Sequence, residues 1–434
     1  MTVANKESIG IGLMGLGVIG GGVAKVLMSK PEALAREAGS RLVLKKVLEI
    51  DRSKHGTLGI ERSLFTTEFR DIVEDPGIDI IIELIGGEHP AFEYIRECLQ
   101  RGKHVVTANK EVMSKHWTEL QTAADRYKVS LRYEASVGGG IPLIAPFQED
   151  LVANDIRAIY AILNGTTNYI LTRMAKEGID FAEALRKAQE LGYAEADPSK
   201  DIDGIDAAYK LAILSTIAFS TEIRPEQVYC EGISRLQARD FRYARELGYA
   251  IKLLAIAKRA GQYVEARVHP VFIAEESLLA KVDGVYNAIN VEGDLVGNVI
   301  FYGQGAGPSA TSSAVVSDVI KIAQDINRGT VGRARLPQPG GLKVKPMSEV
   351  ETRYYMRMNV ADRAGVLAQI SKVLGDHNIS ISAVIQKESD PTTQTAEIVI
   401  MTHPSKEEAV RAALKETERL AVVKEISNFV RVEA

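Results

Sequence analysis

The chain has little of what would tie it to an oxidising, fibrous or nucleic-acid-bound setting. Only two cysteines, Cys98 and Cys230, occur in 434 residues, which excludes a disulfide framework and a thiolate metal knuckle. Neither sign of charge dominates: 53 Lys and Arg stand against 57 Asp and Glu. No basic excess invites nucleic acid, and no polybasic cluster invites a membrane surface. One long uncharged run, Ser8 to Ala24, contains seven glycines and shows neither a basic leader nor a small-residue cleavage site. It is therefore not read as a signal core or a membrane span. What remains, 46% apolar and 25% charged, is an ordinary globular composition, too long for one core. Two or three domains are expected, in the cytoplasm.

The uncharged run opens with a short apolar strand, Ser8–Leu13, followed by Gly15-Leu16-Gly17-Val18-Ile19-Gly20 and a helical pattern. This is G-x-G-x-x-G in the strand–turn–helix setting that its mechanism requires. Glycines permit a tight turn and bring a pyrophosphate close to a helix N-terminus. A second strand, Leu42–Ile50, leads to Asp51 and Arg52. An acid there suits ribose hydroxyls and an arginine suits a 2′-phosphate, so NAD and NADP both stay open. Asp51 lies farther from the glycines than the usual ~20 residues, because the polar segment PEALAREAGSR intervenes. Further β and α segments alternate through Ile78–Ile85, Ala91–Gln100, His104–Thr107 and the TANK segment ending at Lys110. Such alternation predicts a doubly wound parallel sheet, with ligands past the C-terminal strand ends. Thr107 and Lys110 stand at one such end. The turn Glu134 to Pro142 holds three consecutive glycines; it suits a hinge, or backbone oxygens around a hard cation.

A second, α+β region follows, with strands at Ile156–Leu163, Tyr263–Ile273 and Tyr286–Glu292. Its helices are read at Phe181–Glu190, Asp206–Phe219 and Ala238–Ala260. Asn164 to Asn168 could present polar groups to a ligand. Five carboxylates, Glu195, Asp197, Asp201, Asp203 and Asp206, crowd into twelve residues ahead of an uncharged stretch, Leu211–Thr221. A calcium loop fails, because its twelfth position, which needs a bidentate Glu, would be Lys210. Lys210 instead lies one helical turn after Asp206, where the helix enters a core. Burial makes a lysine easier to deprotonate and hence usable as an acid–base group. Capping and surface pairing alone would also account for the acids. A second glycine turn, Gly303 to Gly307, precedes helix Ser312–Arg328, which is expected to pack back on the first domain. After a Gly- and Pro-rich linker at 329–350 comes a βαββαβ order, which is ferredoxin-like. There the Asp362–Gly365 turn, with Val366 and Leu367 behind it, and Asn378 are candidates to grip a small amino acid.

Taken together, GLGVIG, ELIGG, TANK, YEASVGGGIP, NGTTNYIL, LGYAEADPSKDIDGIDAAYKLAIL and GQGAGPSATSSAVVSD resemble homoserine dehydrogenase in the form that carries a C-terminal ACT domain. The likeness spans essentially the whole chain. It implies a Rossmann-type NAD(P)-binding domain over 1–140, completed by about 303–328, and a catalytic and dimerisation domain over 141–302. The linker at 329–350 and an ACT regulatory domain over 351–434 would follow. It further implies reversible NAD(P)-dependent hydride transfer between L-homoserine and L-aspartate 4-semialdehyde, a step toward threonine, isoleucine and methionine. By resemblance Lys210 handles the substrate proton, Asp206 and Glu195 hold the amino acid, and Lys110 assists at the carbonyl. Gly192, Lys110, Thr107, the GLGVIG loop and one of Gly305 or Gly307 would line the cofactor. Glu134, Val137, Gly139 and Ile141 correspond to a sodium site, mostly carbonyls. An amino-acid effector, threonine first, and a homodimer or homotetramer are implied as well. One departure stands out: many relatives place Arg before the strand-end Asp, whereas this chain has Ile50. The competing reading is a non-catalytic dinucleotide and amino-acid sensor, which would have no use for two proton-handling lysines. Aspartate semialdehyde dehydrogenase would need a nucleophilic Cys with a nearby base, which neither cysteine is expected to have.

Overall fold

The computed structural model describes residues 6–331 and 341–433; of the linker expected at 329–350, residues 332–340 lie outside the described residues. The chain divides into two compact units. The first takes residues up to Arg157, Tyr209–Gln227 and residues from Ile289 to Leu342. The second takes Ala158–Ala208, Val228–Ala288 and the residues from Lys343 onward.

The first unit is built on six strands. In sheet order they are Phe65–Thr66, Arg41–Leu48, Ser8–Met14, Ile80–Glu83, His104–Thr107 and Leu131–Arg132. All neighbours are parallel. Counted along the chain this is 3-2-1-4-5-6, the Rossmann arrangement, whose ligand crevice lies where the order reverses. Its central strands read as unbroken apolar runs, as a sheet covered on both faces requires. Ile80, Ile81 and Ile82 are all fully buried. Helix Pro308–Arg328 completes the unit from far along the chain, placing Val315, Val319 and Ile322 in one core with Val23 and Leu27 of helix Val18–Ser29. Gly22 lets the two helices meet, since a Cβ there would lie 2.4 Å from Ser312 Oγ.

Three departures from the sequence expectation shape this unit. PEALAREAGSR is a helix, Pro31–Ala38, with Pro at its start and left-handed Gly39 at its end. This extra helix is what lengthens the path to the second strand end. The second strand stops at Leu48, because Glu49 and Asp51 enter a side-chain-bonded turn described below. Helix Pro308–Arg328 begins four residues before Ser312, with proline fixing the first helical φ.

In the second unit, Ala158–Ala161 pair antiparallel with Ala255–Lys258, and Tyr249–Ala260 pairs antiparallel with Tyr263–Ala274 along its full length. The helix expected over Ala238–Ala260 is therefore corrected. A helix spans only Ala238–Glu246, left-handed Gly248 (φ 80°) follows it, and a strand takes over. The run Ile251–Ala257 is apolar at nearly every position, so it carries no helical period and is buried on both faces as a strand. The C-terminal strands lie in the order Val423–Glu433, Glu351–Ala361, Thr395–Thr402, Ile381–Asp390, antiparallel throughout. Helices Val366–Asp376 and Glu407–Thr417 complete the βαββαβ fold. Their Ile370, Val373 and Val410 pack on Met356, Met358 and Ile398. This sheet is continuous with the preceding one, because Arg431–Glu433 pair parallel with Val271–Ile273. Two buried arginines sit at the junction: Arg267 reaches buried Glu433 at 2.6 Å, and Arg431 reaches half-buried Glu231 at 2.9 Å. Among the described residues no helix is long and apolar enough to cross a membrane.

Candidate active site

In the first unit the chain leaves the first strand at Gly15, whose φ of +90° only glycine adopts freely, and whose amide donates to Leu48 O at 2.9 Å. A Cβ on Gly15 would sit 2.7 Å from Leu84 O, and one on Gly20 only 2.0 Å from Gly15 O. These two glycines serve close backbone packing. Gly17 differs: nothing lies within 4 Å of its missing Cβ. The open side of the loop is thus at Gly17, ahead of the uncapped first turn of Val18–Ser29, which is where an anion would meet free amides. Val18 is exposed there, Ile19 half-buried and Leu16 buried.

Two carboxylates that the motif reading passed over organise this crevice. Glu49 follows the second strand; its Oε2 accepts from Leu16 N at 2.9 Å and its Oε1 from Asp51 N at 3.0 Å. Burial acts against its charge, but these amides and Lys54 outweigh that and hold its pKa below the ordinary value. Asp51, by contrast, is exposed and turned onto its own turn, accepting from Ser53 N and Oγ; Arg52 beside it is exposed. Glu83 closes the fourth strand, fully buried, which raises its pKa. It accepts from Thr107 Oγ1 at 2.6 Å and Ile85 N at 2.7 Å. Thr107 Oγ1 in turn accepts from Asn109 N, and the Asn109 side chain caps Val112 N and donates to Gly87 O. This relay fixes Lys110 as the first residue of helix Lys110–Tyr127. One turn on, Lys115 Nζ lies 5.8 Å from the Tyr209 ring centroid. Lys210, beside that ring in sequence, is buried. An acid directly after the last residue of a strand, or as that last residue, is the signal that would have found both Glu49 and Glu83.

The second glycine turn comes within backbone contact of the triple-glycine turn: a Cβ on Gly139 would lie 2.7 Å from Gly305 O. Gly305 is buried, and Gly307, at φ 121°, caps the helix that follows. The Glu134 carboxylate is committed to three amides, Leu143, Ile144 and Ala145 N, at 2.5–2.8 Å. It caps the start of the following short helix, so a cation at Glu134, Val137, Gly139 and Ile141 would draw mainly on their backbone oxygens. These residues are buried in a turn with left-handed Gly138 and Gly139, a hard-oxygen set that fits sodium in kind. Among the described residues no cluster of three or more His, Cys, Asp or Glu could hold a metal ion.

In the second unit Asn164 caps helix Gly165–Glu177 through Oδ1, while its Nδ2 bridges Asp201 (2.7 Å) and Asp206 (2.9 Å). One amide therefore binds two members of the acidic run together, and Asp206 is buried. Lys210 follows Asp206 by one turn of helix Ile205–Phe219. Asn168 instead donates to carbonyls of Val282, Gly284 and Tyr286, so it is part of the framework. Gly192, left-handed, and Glu195 lie exposed on the loop after helix Phe181–Glu190, where Thr166 Oγ1 donates to Tyr193 O. Both cysteine thiols are pushed up by burial, Cys230 to about 12, the opposite of an activated nucleophile. In the C-terminal fold, Asp362 and left-handed Gly365 precede helix Val366–Asp376, and left-handed Asn378 follows it. Val366 is buried and Leu367 exposed. The two ends of this eleven-residue helix are about 16 Å apart, so one small amino acid does not span both within a single chain.

Comparison with known proteins adds the following. Residues 15–134 match the homoserine dehydrogenase NAD-binding domain family, 142–320 the homoserine dehydrogenase family and 354–422 the ACT domain family. A homoserine dehydrogenase of Neisseria gonorrhoeae is 40% identical, over 99% of both chains. One from Synechocystis is 43% identical over 98% of this chain and 99% of its own. The crystal structure of a homoserine dehydrogenase from Thiobacillus denitrificans superposes with a TM-score of 0.91, at 43% identity and 99% coverage of each chain.

Proposed function

From the premise that the chain belongs to the homoserine dehydrogenase family, we propose that it reduces L-aspartate 4-semialdehyde to L-homoserine, reversibly, with NAD(P). The observation that carries the reading to these residues is the placement of buried Lys210 one turn after buried Asp206 on helix Ile205–Phe219. Bound dinucleotide supplies the hydride, and that chemistry is its own. Hydride addition leaves an alkoxide, so a cation and a proton source must face the carbonyl oxygen. Lys210 donates that proton and takes it back in the reverse direction, with Lys110 assisting at the same oxygen. Asp206 and Glu195 hold the substrate ammonium. Asn164 keeps Asp206 beside Asp201, concentrating negative charge where the ammonium of the amino acid would dock.

By the family resemblance, the GLGVIG loop, Thr107, Lys110, Gly192 and one of Gly305 or Gly307 would line the dinucleotide. The carbonyls of Glu134, Val137, Gly139 and Ile141 would hold a sodium ion, whose charge would tie the triple-glycine turn together. A small amino acid, threonine first, acts as effector through the ACT domain; the chain works as a homodimer or homotetramer in the cytoplasm. The test is homoserine-dependent reduction of NAD and NADP, side by side. Turnover with either supports the reading. Dinucleotide binding without turnover would favour the sensor instead.

A further inference from the structure

We propose that Glu49 reads the 2′ position of the adenosine ribose, and that the enzyme thereby selects NAD over NADP. The proposal rests on the dinucleotide-binding reading of the GLGVIG loop and adds to it the choice of cofactor. In sheets of this order the acid past the second strand takes the ribose hydroxyls. The strand end expected from sequence points to Asp51; the geometry points two residues earlier. Glu49 N donates to Thr66 O at 3.0 Å, which carries the sheet register one residue beyond the strand. Its side chain is 7% exposed and turned onto the glycine loop itself, at Leu16 N. Leu16 is the residue between the tight-turn Gly15 and the open Gly17. Asp51 has its carboxylate drawn back to Ser53 at 2.6–3.0 Å.

The carboxylate is held from several sides: Leu16 N and Lys54 Nζ (3.3 Å) on Oε2, and Asp51 N on Oε1. His55 Nε2 holds the carbonyl of the same residue at 2.7 Å. A carboxylate has about four lone-pair sites, so acceptor capacity remains on Oε1 for a ribose hydroxyl. A 2′-hydroxyl can donate to it. A 2′-phosphate cannot, and brings up to two negative charges against a carboxylate that cannot swing away without releasing the loop amide. Lys54 and Arg52 are the neighbouring cations; the Lys54 contact is the longest of the set, and Arg52 is exposed.

The test is direct titration of NAD and NADP into the full-length protein by calorimetry, together with kcat/KM for each. Wild type is expected to bind NAD at least about tenfold tighter, the size of one unfavourable charge contact. Glu49→Gln should collapse that ratio, raising NADP affinity while lowering that for NAD. Asp51→Asn should move the ratio less than Glu49→Gln does. Equal or tighter NADP binding by wild type overturns the proposal, as does a Glu49→Gln change equal for both cofactors. Should Glu49→Gln fail to fold, Lys54→Ala serves: removing the cation beside Glu49 must widen the preference for NAD, and an unchanged or narrowed ratio refutes it. Binding of neither dinucleotide would sink the dinucleotide reading itself, an outcome distinct from binding without discrimination.

Discussion

Asn164→Asp is the sharpest test of the acidic site, because it changes one interaction and spares another. Aspartate caps a helix as well as asparagine, so the Oδ1 contact to Thr167 N survives. What is lost is the Nδ2 bridge to Asp201 and Asp206, at 2.7 and 2.9 Å. A third carboxylate at those distances meets each neighbour with roughly 6 kcal/mol of repulsion at an effective dielectric of about 20. Holding a proton on an ordinary aspartic acid at pH 7 costs about 4 kcal/mol, three units at about 1.4 each. Protonation is therefore the cheaper escape, and one of the three carboxyls keeps its proton at neutral pH. The folded variant then binds a proton that its unfolded chain releases, so its deficit grows with pH by up to about 1.4 kcal/mol per unit. Denaturation midpoints at pH 5.5, 7 and 8.5 should show the gap to wild type widening in that order. The KM for homoserine should rise about tenfold or more, the worth of one weakened charge-assisted contact. A constant gap across pH with an unchanged KM would refute the bridge as the element that sets the site's charge.

Lys210→Ala should lower kcat by about 10²–10⁴-fold, the span of a general acid–base group, with dinucleotide affinity retained in a titration; near-normal turnover removes Lys210 from the mechanism. Asp318 is buried, with the Glu134 charge beside it, and its pKa is pushed up to about 7 although it accepts from Glu134 N. Its folded pKa is raised, so its contribution is complete below pH ~4 and lost as pH climbs through 7, about 4 kcal/mol in all. Asp318→Asn, which keeps the acceptor, should flatten that slope in melting curves; an unchanged slope refutes the assignment. Truncation after Gly329 should yield insoluble or unfolded protein, because it strips Arg431–Glu433 from Val271–Ile273 and leaves Arg267 buried without Glu433. A soluble, fully active fragment would contradict this.

Legibility followed the range of the interaction. The local geometry of GLGVIG, TANK and the Asp206–Lys210 spacing is readable because it is fixed by residues a few positions apart, through a turn or one helical step. The strand Tyr249–Ala260 was misread as helix because its apolar run has no period; Gly248 marks the break but weighs little beside the length of the pattern. Helix Pro31–Ala38 was passed over as an extension, although Pro at its head and Gly39 at its tail were in plain view. Asn164 was noticed as a polar candidate, yet its bond to acids some forty residues away had no local trace.

The same limit explains why the C-terminal fold reads as a detachable module although its sheet is shared with the preceding strands. Its ferredoxin-like order is local and visible, but the pairing of Arg431–Glu433 with Val271–Ile273 joins segments about 160 residues apart. Glu433 on Arg267 and Glu231 on Arg431 are equally remote partners, although Arg431 also holds Glu407 within the C-terminal fold. A ligand that shifts the C-terminal strands must therefore strain a shared sheet and its buried ions. Neither adjusts gradually, since a displaced strand loses its register and a displaced buried charge loses its partner. Effector binding in this protein is accordingly expected to act on the catalytic region through strand Tyr263–Ala274, and substitutions at Arg267 should weaken amino-acid inhibition more than they weaken turnover.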